Sequence, residues 1–141
     1  MHRLATVLLV VLLMAADQST AQPKVDANGI SSKVILEEVI FGHQLELNGK
    51  FKMRVTEVTF APDGYVGAHH HIGPGVRYVA SGQLTFTAAG KTTIYKTGEY
   101  FYETGNLAHT AHNKTTSPLR LIFIEVLPVN WTGPAIIPPK A

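Results

Sequence analysis

The sequence predicts an all-β sandwich or barrel, and three observations carry that prediction. Its apolar and β-branched runs are short, turn-forming pairs separate them at close intervals, and no helical pattern alternates with them. Such alternation would mark a parallel α/β sheet. Residues 34–41 read as a strand or a short helix. Residues 51–60, which include Val55, Thr56, Val58 and Thr59, read as a strand. Residues 76–80, 84–88, 92–96, 100–102 and 119–127 follow as further strands. The turns fall at Asn48-Gly49, Pro62-Asp63-Gly64, Ser81-Gly82, Ala89-Gly90, Thr97-Gly98, Thr104-Gly105 and Ser117-Pro118. Ser81-Gly82 and Ala89-Gly90 bracket a hairpin strand. Tyr78, Phe86, Tyr100, Phe101 and Tyr102 are expected mainly in the barrel core.

The chain has 141 residues, enough for one domain. Its formal net charge is +2, and no basic cluster is longer than a pair, which argues against a nucleic-acid partner. There is no cysteine, so stability must come from core packing, with help from a metal. A basic start at His2-Arg3, an apolar run over residues 4–16 and small residues at Ser19 and Ala21 form the pattern of a secretory signal peptide. The apolar run is shorter than the ~20 residues of a membrane span. The expectation is an exported protein, secreted or periplasmic, with no stable membrane anchor and a mature chain beginning at Gln22. Residues 22–32 read as a leader, 33–130 as the barrel and 131–141 as an irregular Pro-rich tail. Asn113-Lys-Thr115 and Asn130-Trp-Thr132 match the glycosylation acceptor pattern, but Asn113 also reads as a turn residue.

Five of the seven histidines fall in two groups, His69-His70-His71 and His109 with His112. Residues two apart on a strand share a face, so His69 and His71 aim together while His70 points away. A third imidazole from a distant strand would complete a set of nitrogen ligands suited to Zn, Cu, Fe or Ni. A solvated loop of histidines is the competing reading. The setting in β-rich, glycine-flanked sequence favours the metal.

These residues resemble the two motifs of the cupin superfamily. The first motif is G-x5-H-x-H-x3-4-E-x6-G. Gly64 stands one residue nearer than it asks, His69 and His71 fit, and Gly82 closes it. The second is G-x5-P-x-G-x2-H-x3-N. Gly98, His109 and Asn113 fit its spacing, with Thr104 and Asn106 in place of the Pro and second Gly. The resemblance covers roughly residues 51–128 and is closest to small single-domain secreted cupins with a type-2 barrel. It implies a cupin-type double-stranded β-helix, or jelly-roll barrel, after the signal peptide. It also implies one divalent metal ion (Zn, Fe, Mn, Ni or Cu) on His69, His71 and His109. The motif's Glu ligand would stand at Gly75, where there is no carboxylate. Glu57, Glu103, Gln83 and His112 are the candidates to replace it. Strand parity with Gly75 turns Arg77 and Val79 inward, whereas a bulge at Pro74-Gly75 would turn Arg77 out.

Two functions follow from the resemblance. One is a metal-dependent enzyme of dioxygenase, isomerase or lyase type, in which Arg77 or Tyr102 orients a small anionic or enolisable molecule. The other is a non-catalytic barrel that binds a metal or a small ligand. Three neutral imidazoles leave a divalent ion its full charge, which favours an anionic ligand. The resemblance is also compatible with a homodimer.

Overall fold

The computed structural model describes residues 24–39 and 48–139, and the segment expected as a signal peptide lies outside them. Among the described residues there are nine strands and no helix. They are β1 (Ala27–Val39), β2 (Phe51–His71), β3 (Gly75–Ser81), β4 (Gln83–Ala88), β5 (Lys91–Lys96), β6 (Tyr100–Glu103), β7 (His109–His112), β8 (Leu119–Pro128) and β9 (Ile136–Ile137). They hydrogen-bond in the order β5-β4-β7-β2-β8-β3-β6, with β1 and β9 also paired to β2. The sheet curls into a nearly closed barrel. Its two ends meet where Gly98 donates to the Val79 carbonyl and Thr97 to the Gly82 carbonyl. No described helix is long and apolar enough to cross a membrane.

The long strand β2 organises the site. Its first part pairs with β8 from Phe51 to Phe60, and its last part pairs with β7 from Tyr65 to His69. The change of partner happens at Pro62-Asp63-Gly64, which the sequence analysis reads as a turn. The structure makes it a bend inside one strand, with Asp63 at φ 58°. β1 registers the same bend as a shift between Asn28 and Ile30. Thus β1 begins at Ala27, and part of the segment expected as a leader is already paired with β2. The choice between strand and helix for residues 34–41 resolves as strand through Val39, and Ile40 and Phe41 lie outside the described residues.

Inward and outward positions alternate along β3, β6 and β7, as a pleated half-buried sheet requires. Val58, Phe60, Val66, Val79, Leu84 and Leu121 fill the interior. Asn113 is fully buried. Its side-chain amide donates to the Ala61 and Ser117 carbonyls at 3.0 and 2.8 Å, and its oxygen accepts from Thr115 N at 3.2 Å. It is a turn residue that pins the β7–β8 connection to the bend in β2. The aromatic expectation holds for Phe101 and Phe86 only. Tyr100 and Tyr102 point outward and are 64% and 65% exposed.

Candidate metal centre

His69 and His71 point inward from β2, one residue either side of His70, and both are buried. Register then decides the third partner. His109 of β7 is the direct cross-strand neighbour of His69, so their rings meet with centroids 4.2 Å apart. Gly105, at φ 85°, packs against Gly73, and its carbonyl accepts from His71 N at 3.1 Å. A Cβ at Gly105 would come 2.9 Å from the Gly73 backbone, so the close approach that joins the two histidine segments needs glycine there.

One nitrogen of each imidazole is already engaged. His69 Nδ1 donates to the Gly67 carbonyl at 2.8 Å, and His109 Nδ1 to the Leu107 carbonyl at 3.0 Å. A carbonyl oxygen only accepts, so the ring proton sits on Nδ1 in both. His71 Nδ1 donates to Glu125 Oε1 at 2.9 Å. The three Nε2 atoms are left as lone-pair donors, and the three histidines can offer ligand atoms that all lie within 4.8 Å of one another. An oxygen partner on the far nitrogen that fixes tautomer and orientation is the usual arrangement of metal-binding histidines.

The electrostatics favour neutral imidazoles at His69 and His109. Burial is the main cause that pushes His69 down to about 3, with the His109 charge adding to it. Burial lowers His109 too, against the pull of Glu103 and of the Leu107 hydrogen bond. For Glu125, burial alone would raise the carboxyl, but the His71 hydrogen bond and the Arg77 charge outweigh it and hold it low. Neutral imidazoles with inward lone pairs fit a borderline divalent ion.

The carboxylate candidates separate cleanly. Glu103 is buried beside the histidines, its Oε1 3.2 Å from His109 Nε2 and its Oε2 3.2 Å from His71 Nε2. Glu57 instead lies 3.7 Å from Arg120 Nε, and His112 Nε2 is 2.8 Å from Asp63 Oδ1. Gln83 starts β4 opposite Lys96. Glu125 was not among the candidates. The only sequence signal for it is an acidic residue in the otherwise apolar β8 run.

Arg77 faces inward, as parity expects, and is fully buried. Its Nη2 lies 2.6 Å from Glu103 Oε2 and donates to Glu125 Oε1 at 3.1 Å, and its guanidinium carbon lies 4.3 Å over the Phe123 ring. It does not line the cavity, so the role expected for it, orienting an anionic ligand, is not the one its contacts serve. Tyr102 is not brought to the site either. It alternates with the buried Phe101 and Glu103 and faces outward.

The histidines open onto an interior cavity of roughly 420 Å³. Its walls are mostly apolar and include Val58, Phe60, Leu84, Phe86, Phe101 and Leu121. Residues 132–136 of the C-terminal segment form another wall. That segment is held by β9, where Ile136 pairs opposite His71, and by Arg54, whose Nη1 and Nη2 donate to the Gly133 and Trp131 carbonyls at 2.9 and 3.1 Å.

A family model described as a cupin domain matches residues 56–125, the stretch that carries all three histidines. No curated protein matches the chain. Solved structures share its fold at low identity. The polyketide cyclase RemF from Streptomyces resistomycificus is 16% identical, with a TM-score of 0.57, covering 79% of this chain and 78% of that one. KdgF from Halomonas sp. is 16% identical, with a TM-score of 0.54, covering 71% and 84%. A cupin-2 domain protein from Rhodospirillum rubrum is 11% identical, with a TM-score of 0.57, covering 81% and 68%. The matched family, the all-β barrel and the paired histidine strands agree, and the chain belongs to the cupin superfamily.

Proposed function

We propose that this cupin is an exported, metal-dependent enzyme that acts on a small molecule bearing an anionic or enolisable oxygen group. The observation that carries the reading is that His69, His71 and His109 can offer ligand atoms within 4.8 Å of one another at the wall of a largely apolar cavity. These residues would hold one divalent ion. Such an ion supplies Lewis acidity to a carbonyl or enolate oxygen, or binds dioxygen or water, depending on its identity among Zn, Fe, Mn, Ni and Cu. The chain's own groups supply the rest. Val58, Phe60, Leu84, Phe86, Phe101 and Leu121 exclude water and bind an apolar body. Glu103, Glu125 and Arg77 together leave one negative charge beside the histidines, half the charge of a divalent ion. The ligand is therefore required to neutralise less than three bare imidazoles would demand, and one anionic oxygen suffices. Export rests on the pattern of residues 1–21 alone.

Metal analysis of the purified full chain tests the reading, with about one divalent ion per chain expected. An exchangeable coordination position, seen as an azide-induced change in the electron resonance of the copper-loaded protein, marks an open site suited to catalysis. A metal that resists azide and serves only to raise the melting temperature makes the protein a binding barrel without turnover. Intact mass from an exporting host tests export, with residues 1–21 absent.

A further inference from the structure

The motif position of the missing carboxylate, Gly75, lies in a row of residues that runs across five strands. Glu37 of β1 pairs with Arg54 of β2, Arg54 with Glu125 of β8, Glu125 with Gly75 of β3, and Gly75 with Glu103 of β6. A glutamate at position 75 would therefore have a carboxylate on each side, and like charges directly opposite one another on a sheet destabilise it. The space is also taken. A Cβ on Gly75 would collide with Arg77 Nη1, would sit 2.5 Å from the Ile124 carbonyl oxygen and would sit 3.1 Å from Glu125 Cγ. The guanidinium of Arg77 thus fills the place that the motif gives to its acid.

We infer that Glu103, one strand over, supplies the fourth protein ligand that the motif would place at position 75, and that Arg77 is the positioning residue that holds it there. The inference rests on the reading of the three histidines as metal ligands. Its geometry is independent of that reading. The two oxygens of Glu103 each lie 3.2 Å from a histidine Nε2 whose ring proton is engaged on the other side. An ionised carboxylate only accepts, and His109, whose ring proton goes to the Leu107 carbonyl at Nδ1, turns a lone pair toward Glu103 Oε1, so acceptor faces acceptor there. Glu103 Oε2 is buried and has no hydrogen-bond partner among the described residues, although Arg77 Nη2 lies 2.6 Å away. Arg77 matches the charge of Glu103 but not the lone pairs that Glu103 Oε1 and His109 Nε2 turn toward each other, and a cation between them supplies the missing partner. Glu125 differs. It meets His71 at Nδ1 rather than Nε2, so it orients a ligand and is not one.

The test titrates cobalt(II) into the metal-free full chain and reads both affinity and the visible absorption of the bound ion, which reports the type and number of its ligands. The wild type should take up about one cobalt per chain. Glu103→Gln should weaken binding beyond the roughly 10- to 100-fold that loss of an outer-sphere partner costs, and it should change the spectrum. Glu125→Gln should fall within that roughly 10- to 100-fold range and keep the wild-type spectrum. Glutamine retains one oxygen for Arg77, and the melting curve of the metal-free variant checks that the barrel is intact. If Glu103→Gln does not fold, Glu103→Asp keeps the counter-charge of Arg77 with a shorter reach, and its cobalt spectrum should differ from the wild type. A wild-type spectrum in the folded Glu103 variant, with binding still lost in His69→Ala, overturns the inference and leaves the histidine site standing. A wild type that takes up no cobalt overturns both.

Discussion

Two ionic groups occupy neighbouring positions in this barrel, and they are built on opposite accounts of donors and acceptors. In the first, Glu37 pairs with Lys52 Nζ at 2.6 Å and with Arg54 Nε, while the remaining Arg54 nitrogens donate to carbonyls of the C-terminal segment. The Lys52 and Arg54 hydrogen bonds hold the Glu37 carboxyl below its ordinary value against the effect of burial. Every polar atom has its complement, so the group is complete as it stands and works as a clasp between β1, β2 and the tail. In the second group, the Glu103 oxygens face His71 and His109 Nε2, and among the described residues Glu103 Oε2 and Arg77 Nε have no hydrogen-bond partner. The imidazole lone pairs and carboxylate oxygens are acceptors turned toward one another, and a native fold retains such an arrangement where something else completes it. The difference separates a self-sufficient ionic clasp from an ionic group that a bound cation would complete.

Removing a ligand breaks the comparison most severely. His69→Ala, His71→Ala and His109→Ala should each abolish measurable metal uptake, a loss well beyond ~100-fold, and the metal should no longer raise the melting temperature. Equal uptake by any of the three would show that the facing acceptors are not a metal site.

Acid is the next largest perturbation. His69 and His109 have lower pKa values in the fold than the ordinary 6.5, with His69 at about 3. The unfolded chain therefore binds more protons than the folded one as pH falls below that ordinary value, so stability is lost on acidification. The Glu125 carboxyl, also held low, adds to the loss below its ordinary 4.5. The melting temperature of the metal-free protein should fall steadily from about pH 6.5 downward. A flat melting profile from neutrality to pH 4 would contradict the buried neutral imidazoles.

The clasp should behave as a pure stability element. Arg54→Met leaves Glu37 short of a partner and the tail carbonyls without donors. It should cost roughly 1–3 kcal/mol in denaturant unfolding, chiefly from the tail carbonyls left without donors, while metal stoichiometry stays at the wild-type value. Lost metal in a folded Arg54→Met protein would mean that the two groups are energetically one.

The smallest effects sharpen the outward face. Tyr102→Ala and His70→Ala should change stability by less than ~1 kcal/mol and leave metal uptake unaltered, because both side chains point away from the ligand set. Reduced uptake in either would contradict the strand parity assigned to β6 or to the end of β2.

How far the sequence could be read follows from the kind of information each feature needs. His69 and His71 share a face because any extended strand has period two, so their pairing required no knowledge of the rest of the molecule. Parity with Gly75 also turned Arg77 inward, but a bulge at Pro74-Gly75 would have reversed it, and only the unshifted pairing of Gly75 to Arg77 with β8 removed that alternative. Turn pairs marked most strand ends, but Pro62-Asp63-Gly64 looks the same in sequence whether it ends a strand or bends one. Only the change of partner from β8 to β7 made it a bend. Tyr100-Phe101-Tyr102 offers three aromatics in a row with no polar alternation, so its inward residue was invisible until β3 fixed the register. The fourth ligand was hidden for the same reason. Parity states which face a residue occupies, but a neighbour across the sheet depends on register. The alignment of Gly75 with Glu103 and Glu125 is set by long-range pairing that no local pattern encodes.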